Sequence, residues 1–600
     1  MAALTDGIRL RFAEYTAFFV LLGCVPVAHA QSDADSAFES VAAAFVNDLP
    51  ALSPVSATLS GDHRQDDILD QVDSDGRAAT VRLYEKHLAA LQSIEWQALS
   101  RANQVDADLL RNEIESRLWQ LESLQEWAWN PLIYVDRSGS AIYSLMARDF
   151  APLPERLVSA ASRLEQMPRF LAQARAALQP QRVPKIHAET AVQQNPGLDS
   201  IIETMIVPHM GTATGGFKFR LQAAIATARK AVAEHQAWLE EELLPKAAGN
   251  FRIGAALFDS KLSFTLNSPL SRRDIRTRAE NEYVAVRDQM YQISKELYAE
   301  EYPFTNFPDN PDEAYKQVII RTALEKAYQQ LPEPDGIVTV AKEYLQQATD
   351  FVQERNLVTV PDDPIEIIVM PEFRRGVTLA YLDPPGPLDK GQKSFYAVAP
   401  LPSDWSDEQV NSFLREYNLL SIQALTAHEA MPGHHLQLAL SNRYPSILRS
   451  VLWSGPFVEG WAVYAERLMV DEGYLDNDPL MRLINLKWYL RAVTNAIIDQ
   501  AIHVDGMSRD AAMKLMIEGG FQKEREAAGK WIRAQLTSTQ LSTYFVGYQE
   551  HIDMRTAVEQ AWADEFTLRR YHDQALSYGS PAVKYVRALI MNEPIPHTEK

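Results

Sequence analysis

Residues 427–437, with the sequence AHEAMPGHHLQ, carry the strongest chemical pattern in this chain. They hold three of the protein's 13 histidines within eight positions, directly after an apolar helical pattern that includes Ile422 and Leu425. His428 is followed at once by Glu429, and further histidines come one to two helical turns later. This order is typical of a helix that presents imidazoles and a carboxylate to a metal ion. We therefore expect a metal-binding helix here.

The spacing of these histidines departs from the common H-E-x-x-H arrangement. The fourth position after His428 is Pro432, which cannot ligate a metal and which breaks the hydrogen-bond ladder of a helix. Seven residues make nearly two turns, so an undistorted helix would return His435 to the face of His428. A bulge at the Pro-Gly pair would instead bring His434 to that face. Spacing alone therefore leaves the second ligand open between His434 and His435.

A second motif, GPFVEGWAVYAE at residues 455–466, supplies candidates for a third ligand. Pro456 suits the first turn of a helix, and Glu459 and Glu466 lie seven positions apart on one face of that helix. One of these acids can bind the metal while the other orients a ligating histidine. Two histidines, one glutamate and an open position are typical of a catalytic zinc site. We expect one Zn²⁺ per chain, with Glu429 beside it as the general base.

The chain around these motifs is predicted to be mainly α-helical. Amphipathic patterns recur through residues 31–360 and return after Ser406. Three β-branched runs, at 365–370, 377–382 and 394–398, interrupt them and predict a small sheet just before the metal-binding helix. The expected fold is a large helical protein with a deep cleft and a small β-sheet next to that helix.

The first 30 residues have the features of an export signal. Two arginines precede an apolar run over residues 15–27, which is too short to anchor the chain across a bilayer, and small residues up to Ala30 predict cleavage there. The alternative is lipidation at Cys24, because the preceding Leu-Leu-Gly resembles a bacterial lipobox. Either route places the protein outside the cytoplasm, as a periplasmic or secreted protein or as an outer-membrane lipoprotein.

The expected organisation is a signal peptide over 1–30, a helical cleft-forming region over 31–360 and a catalytic region over 361–600. The last two are expected to form one continuous domain.

Composition narrows the classes of partner. The net charge of −21, from 79 acidic and 58 basic residues, repels phosphate backbones and argues against nucleic acid. Cys24 is the only cysteine, so disulfides and thiol catalysis are excluded. No further apolar segment is long enough for a transmembrane helix. The oligomeric state is not indicated by the sequence.

The two motifs together resemble a known family. The pattern H-E-x-x-P-G-H-x-x-Q at 428–437, followed by E-G-W-A-x-Y at 459–464, is similar to the bacterial domain-of-unknown-function family 885. That family resembles the gluzincin zinc peptidases in the arrangement of its fold and motifs. The resemblance implies His428, His434 and Glu459 as metal ligands, because the histidine directly after Pro-Gly is the recurring one. It implies Glu429 as the general base.

The same resemblance suggests substrate contacts. An edge strand before the metal-binding helix binds extended peptides in gluzincins, and the run 394–398 with Tyr396 is placed to do so. His503 follows an aspartate, as it often does in the family, and would contact substrate or cap a helix. Both residues are candidates for substrate binding.

A tyrosine and an arginine could complete the site, as an oxyanion donor and a carboxylate-binding group. Tyr544, in a stretch that resembles the family's Q-x-x-x-Y-x-x-G, is a candidate donor to the oxyanion, with a buried core tyrosine as the alternative. Arg533 or Arg555 could bind a substrate carboxylate, although a surface salt bridge is the commoner role for either.

The resulting functional hypothesis is an exported zinc-dependent hydrolase. It would cleave short peptides, as a carboxypeptidase or an oligopeptidase. Alternatives are a zinc hydrolase of a non-peptide amide or ester, and a non-catalytic helical binding protein. A binding protein is expected to have lost the base or a ligand, whereas this chain keeps Glu429 and all of its candidate ligands.

Overall fold

A computed structural model describes residues 33–370, 380–402 and 405–597. The predicted signal segment 1–30, including Cys24, lies outside these ranges, as does the start of the predicted strand at 377–382. Within the described residues, no helix combines the length and the apolar character that crossing a membrane requires.

The described residues form a mainly helical protein, which confirms the predicted fold class. The helices before the sheet are α1 Asp33–Leu52, α2 Pro54–Leu59, α3 Ser74–Gln92, α4 Arg101–Trp119, α5 Glu126–Trp129, α6 Leu132–Met146, α7 Leu153–Ala177, α8 Lys185–Gln194, α9 Gly197–Ile201, α10 Gly215–Trp238, α11 Gly254–Leu266, α12 Arg272–Glu301, α13 Glu313–Ala327 and α14 Ile337–Glu354. The helices after it are α15 Asp407–Glu416, α16 Leu419–Glu429, α17 His434–Ser441, α18 Ile447–Val451, α19 Gly455–Asp471, α20 Pro479–His503, α21 Arg509–Lys514, α22 Glu524–Leu536, α23 Ser542–Trp562, α24 Leu568–Leu576 and α25 Val583–Met591.

Local sequence signals account for many helix ends. Ser271 and Asp274 form a reciprocal capping box that starts α12, the longest of these helices. Ser406 and Gln409 do the same for α15, where the sequence predicted that the helical pattern returns. Each cap satisfies backbone N–H groups that the first turn of a helix leaves without partners.

The predicted small sheet has three strands, β1 Ile365–Val369, β2 Ala380–Asp383 and β3 Ser394–Val398. The strand order is β1-β3-β2, with β1 parallel and β2 antiparallel to β3. We predicted β3 as an edge strand that could pair with a peptide, and that prediction is wrong. Both edges of β3 are already hydrogen-bonded to neighbouring strands, so its backbone has no edge left for a substrate.

The helices pack into two large apolar cores. One core is formed mainly by α6, α7 and α10 near the N-terminus. The other is formed by helices on both sides of residue 360 and includes Phe258 from α11 and Val586 from α25. The region that carries the two motifs therefore shares its core with α11 to α14.

A close crossing of α19 and α23 fixes the position of the motif helices. A Cβ atom at Gly460 would lie 2.2 Å from the backbone of Gly547, and one at Gly547 would lie 1.9 Å from the carbonyl oxygen of Pro456. Glycine at both positions therefore lets the two helix backbones touch. This contact brings α23, with Tyr544, next to the glutamates of α19.

Candidate metal centre

A helix break separates the two histidines of the first motif. The helix α16 ends at Glu429, a cis peptide bond joins Met431 to Pro432, and α17 begins at His434. A Cβ atom at Gly433 would lie 1.8 Å from the carbonyl oxygen of His428, so only glycine allows this tight return of the chain. The indole N–H of Trp461 donates a hydrogen bond of 2.9 Å to the Pro432 carbonyl and ties the break to α19.

The break brings three side chains of potential metal ligands together. The Nε2 atoms of His428 and His434 lie 3.7 and 3.5 Å from Oε2 of Glu459. One ligand atom from each of the three residues lies within 4.8 Å of the others. In the described part of the chain, this is the one such convergence of three or more histidine, cysteine or acidic side chains.

The start of α17 decides which of the two adjacent histidines faces Glu459. His434, its first residue, faces Glu459. His435 points away, and its Nε2 lies 3.2 Å from the backbone oxygen of Asp363. The undistorted helix that would have favoured His435 does not exist here, because α16 stops before the proline.

Glu466 lies behind the first histidine. Its Oε1 is 2.7 Å from Nδ1 of His428, and both side chains are buried. Glu466 thus holds a proton on Nδ1 and directs Nε2 toward Glu459, so Nε2 is the nitrogen that a metal would bind in place of a second proton.

The carboxylates of the cluster attract positive charge, either a second proton on His428 or a metal ion. Burial alone would raise the pKa of Glu459, but hydrogen bonds with His428 and His434 outweigh it and hold that pKa well below its usual range. Burial opposes the charge of His428, but Glu459 and Glu466 raise its pKa well above the ordinary value. The partly exposed Glu459 carboxylate is thus ionised and lies beside the two imidazole nitrogens. Two imidazoles and one carboxylate form a donor set that suits Zn²⁺, so these residues fit the expected metal.

Glu429 lies next to the three candidate ligands but is not part of their cluster. Its Oε2 accepts a hydrogen bond of 2.9 Å from the backbone N–H of Leu382, in the strand β2. Its other oxygen, Oε1, accepts no hydrogen bond from the described residues. The sheet predicted beside the metal-binding helix therefore holds this carboxylate in place, a contact that the sequence did not reveal.

Tyr544 faces the same space from α23. Its hydroxyl oxygen accepts hydrogen bonds from Nη2 of Arg533 at 2.9 Å and from Nε2 of Gln540 at 3.2 Å. The hydroxyl hydrogen has no acceptor among the described residues. A phenol that accepts two hydrogen bonds and keeps its own hydrogen free is well prepared to donate to a developing oxyanion.

A cavity of 660 Å³ opens over these groups. His428, Glu429, His434, Glu459, Arg533 and Tyr544 all line it. Another part of its wall is formed by Tyr381 and Leu382 of β2, by the Pro-Pro-Gly-Pro loop at 384–387 and by α2. The sequence reasoning missed that wall, although the proline-rich loop is a recognisable signal. A second cavity of 440 Å³ adjoins the first and shares Ser56, Ser60 and Val451 with it.

The two predicted substrate-binding residues do not line either cavity. Tyr396 is 1% exposed and packs between the sheet and α16, near Ile422 and Leu425. His503 is 2% exposed, and its Nε2 lies 2.8 Å and 2.7 Å from the carbonyl oxygens of Ala534 and Thr537. It therefore caps the end of α22, which is the second of the two roles considered for it.

The two candidate arginines have different surroundings. Arg533 lines the main cavity and makes no surface salt bridge among the described residues. Arg555 lies elsewhere on α23, with Nη1 3.2 Å from the hydroxyl oxygen of Tyr464. The expectation of a surface salt bridge is thus wrong for Arg533, because that side chain is turned toward the cavity.

Fold and site together define a large helical protein with a His-His-Glu cluster, open to a cavity, beside a small sheet. The sequence profile described as "Bacterial protein of unknown function (DUF885)" matches residues 54–590. The chain belongs to that family, as the resemblance of its motifs predicted.

Two solved structures are similar over nearly their whole length. One is described as "a putative lipoprotein of unknown function from Shewanella oneidensis"; it is 34% identical, with a TM-score of 0.77 over 92% of this chain and 99% of that one. The other, "the putative lipoprotein from Colwellia psychrerythraea", is 17% identical, with a TM-score of 0.74 over 93% and 99%. The second likeness shows the fold alone. Among curated proteins, no match to this chain was found.

Proposed function

We propose that this protein is an exported zinc-dependent hydrolase and that its substrates are short peptides. The observation that carries the proposal is the convergence of His428, His434 and Glu459 beside a separate carboxylate, Glu429, at the floor of one cavity. Three protein ligands with an adjacent acid are the arrangement of catalytic zinc sites, whereas structural sites have four protein ligands. The proposed likeness to gluzincin peptidases rests on the same arrangement.

The metal would be held by the two Nε2 atoms and by the Glu459 carboxylate, with Glu466 orienting His428. When bound, zinc would lower the pKa of a water molecule and polarise the carbonyl under attack.

The remaining chemistry belongs to the protein. Glu429 would accept the proton of the attacking water at Oε1, while the Leu382 N–H fixes its other oxygen. The same carboxyl would then return the proton to the leaving amine. The hydroxyl of Tyr544 would donate a hydrogen bond to the oxyanion, while Arg533 and Gln540 hold that hydroxyl in place.

The size of the cavity supports a small or extended substrate. A volume of 660 Å³ falls in the range of small-molecule sites, and the adjoining cavity extends it past α2. Short or unfolded peptides would enter this space, and folded proteins would not. Rapid cleavage of an intact folded protein would contradict this part of the proposal.

Export is proposed from the N-terminal sequence and from the relatives. The 34% identical structure from Shewanella oneidensis is described as a putative lipoprotein, which supports export and keeps lipidation at Cys24 beside simple cleavage after Ala30. Mass spectrometry of the mature N-terminus tests this directly. A chain beginning at Gln31 would exclude the lipid anchor, and a diacylated Cys24 would establish it.

The central test compares wild type with Glu429→Gln on zinc content and peptide cleavage. We expect about one zinc per chain in both proteins, with a loss of turnover of about 10²- to 10⁴-fold in the variant. Full activity of Glu429→Gln would disprove the mechanism. Zinc without cleavage of any peptide would point to a non-peptide amide or ester, or to a binding protein. Failure of either protein to take up zinc would refute the metal site.

A further inference from the structure

We propose that Arg533 binds the free α-carboxylate of the substrate, so that the enzyme removes residues from the C-terminus of peptides. This inference rests on the proposed function and specifies its substrate class. Recognition of the C-terminal end of the peptide, and therefore the end from which cleavage proceeds, would depend on this one side chain of the cavity wall.

The position of Arg533 is the first observation. It lies in the last turn of α22 and lines the cavity that contains the ligand cluster. Its Nη2 donates hydrogen bonds to Oε1 of Gln540 at 2.8 Å and to the hydroxyl of Tyr544 at 2.9 Å. These two bonds hold the guanidinium in one orientation. Its Nε and Nη1 have no hydrogen-bond partner among the described residues, so the N–H groups of these two nitrogens are available to donate to a carboxylate.

The charge of Arg533 is the second observation. Within the described part of the chain, no carboxylate oxygen lies within 4 Å of its guanidinium, whereas most of the interior arginines pair with an acid or with backbone carbonyls. The nearby Glu526 is shared by Arg491 and Lys530. Glu459 also acts on Arg533 electrostatically, but it is the proposed metal ligand. An anion from the substrate would therefore supply the missing counter-charge.

The distance from Arg533 to the reaction centre is the third observation. The guanidinium is one hydrogen bond away from the Tyr544 hydroxyl, the proposed donor to the oxyanion. An extended residue spans at most about 3.3–3.6 Å. A carboxylate on Arg533 is thus about one or two residues from the bond that is cut. That reach fits release of a single amino acid or a dipeptide and does not fit cleavage within a long chain.

The direct test uses three versions of one peptide with the zinc-loaded wild type. They have a free C-terminal carboxylate, a C-terminal amide, and a C-terminal amide on a final glutamate, which offers only a side-chain carboxylate. We expect kcat/KM to be about 10- to 100-fold higher for the free acid than for either amide, the range of one charge-assisted hydrogen bond. Equal rates for acid and amide would overturn the inference, and so would fast cleavage of the amidated glutamate peptide.

Variants then test whether Arg533 is responsible. In Arg533→Gln, the ratio of the acid rate to the amide rate should fall toward one, with the acid losing most of its activity. Arg533→Lys keeps the charge and should retain part of the preference. Arg555→Gln is the matched control, because Arg555 bonds a tyrosine hydroxyl in the same way outside the cavity. A preference that persists in Arg533→Gln would reduce Arg533 to a positioning residue for Tyr544 and refute the assignment.

Measurements of peptide binding test this inference independently of the proposed catalytic function. The zinc-loaded Glu429→Gln protein should bind the acid peptide about 10- to 100-fold more tightly than the amide by calorimetry. Adding Arg533→Gln should abolish that difference. If no peptide is cleaved by wild type but the binding preference is present, the peptidase proposal fails while the carboxylate site stands. If peptides are cleaved without any preference for the free acid, the peptidase proposal stands and the carboxylate site is refuted.

Discussion

Glu466 Oε1 lies 2.7 Å from Nδ1 of His428, and both side chains are buried on facing helices. The pair joins α19 to α16 across the ligand cluster, seven residues from Glu459 on the same helix face. A carboxylate in this position fixes both the tautomer and the orientation of the imidazole, which is the usual means by which proteins strengthen a histidine ligand.

Removing this carboxylate should weaken metal binding without unfolding the protein. We expect Glu466→Gln to lower zinc affinity by about 10- to 100-fold, measured by competition with a chelator. Glu472→Gln, at the C-terminal end of the same helix, is the control and should leave the affinity unchanged. An unchanged zinc affinity in Glu466→Gln would mean that the His428 contact does not support a metal.

The two adjacent histidines provide a matched pair of variants. His434→Ala should lose stoichiometric zinc, because it removes one of three protein ligands. His435→Ala should keep zinc, since that side chain bonds the Asp363 backbone instead. Zinc content by atomic absorption on both purified variants decides the matter. Loss of zinc only in His435→Ala would reverse the ligand assignment.

The helix break depends on a residue without a side chain. Gly433→Ala places a Cβ 1.8 Å from the His428 carbonyl oxygen, so the backbone must shift. We expect a loss of about 1–3 kcal/mol in the free energy of unfolding, together with weaker zinc binding. Gly529→Ala, in the exposed interior of α22 with open space around it, should instead stabilise by about 0.5–1 kcal/mol. Denaturant titrations compare the two, and a neutral Gly433→Ala would argue against a tight break.

The hydroxyl of Tyr544 should matter for turnover and not for metal binding. In Tyr544→Phe we expect kcat to fall about 10²- to 10³-fold, the range for loss of one oxyanion donor. Zinc content should remain at the wild-type level, because the phenol is not among the three ligands. Wild-type kcat in this variant would show that Tyr544 is only a wall of the cavity.

A histidine far from the cluster gives a pH-dependent contribution to stability. His63 stacks on Phe150 at 3.7 Å and contacts Asp66 and Asp389, each with 3.0 Å between nitrogen and oxygen. Burial opposes its charge, but the two carboxylates outweigh this and raise its pKa from 6.5 to about 9. A raised pKa in the folded state stabilises fully below about pH 6.5. That contribution is lost as the pH rises through about 9.

Replacement of His63 should therefore matter at low pH and not at high pH. Because this side chain is partly exposed, we expect His63→Gln to cost only about 1 kcal/mol at pH 6 and close to nothing at pH 10. The contact joins the start of the chain to the loop that walls the main cavity, through Asp389. Thermal unfolding at the two pH values checks this, and a loss that is larger at pH 10 would contradict the assigned sign.

The sequence by itself determined the fold class and most of the residues that meet in the candidate metal centre. Helical periodicity and short β-branched runs are local properties, so the helices and the three-stranded sheet could be predicted. The placement of Glu459 and Glu466 on one face also follows from helix geometry within a single segment. For the same reason, His428 and Glu429 could be assigned to one helix.

Only the tertiary structure decided which residues meet. The preference for His434 over His435 depends on where α17 restarts, and that is fixed by the contacts of Gly433 and Trp461 with other backbone atoms. The burial of Tyr396 and the capping role of His503 likewise come from packing between distant segments. So does the bond from Leu382 to Glu429. Such contacts join parts of the chain that share no periodicity, so a local pattern does not encode them.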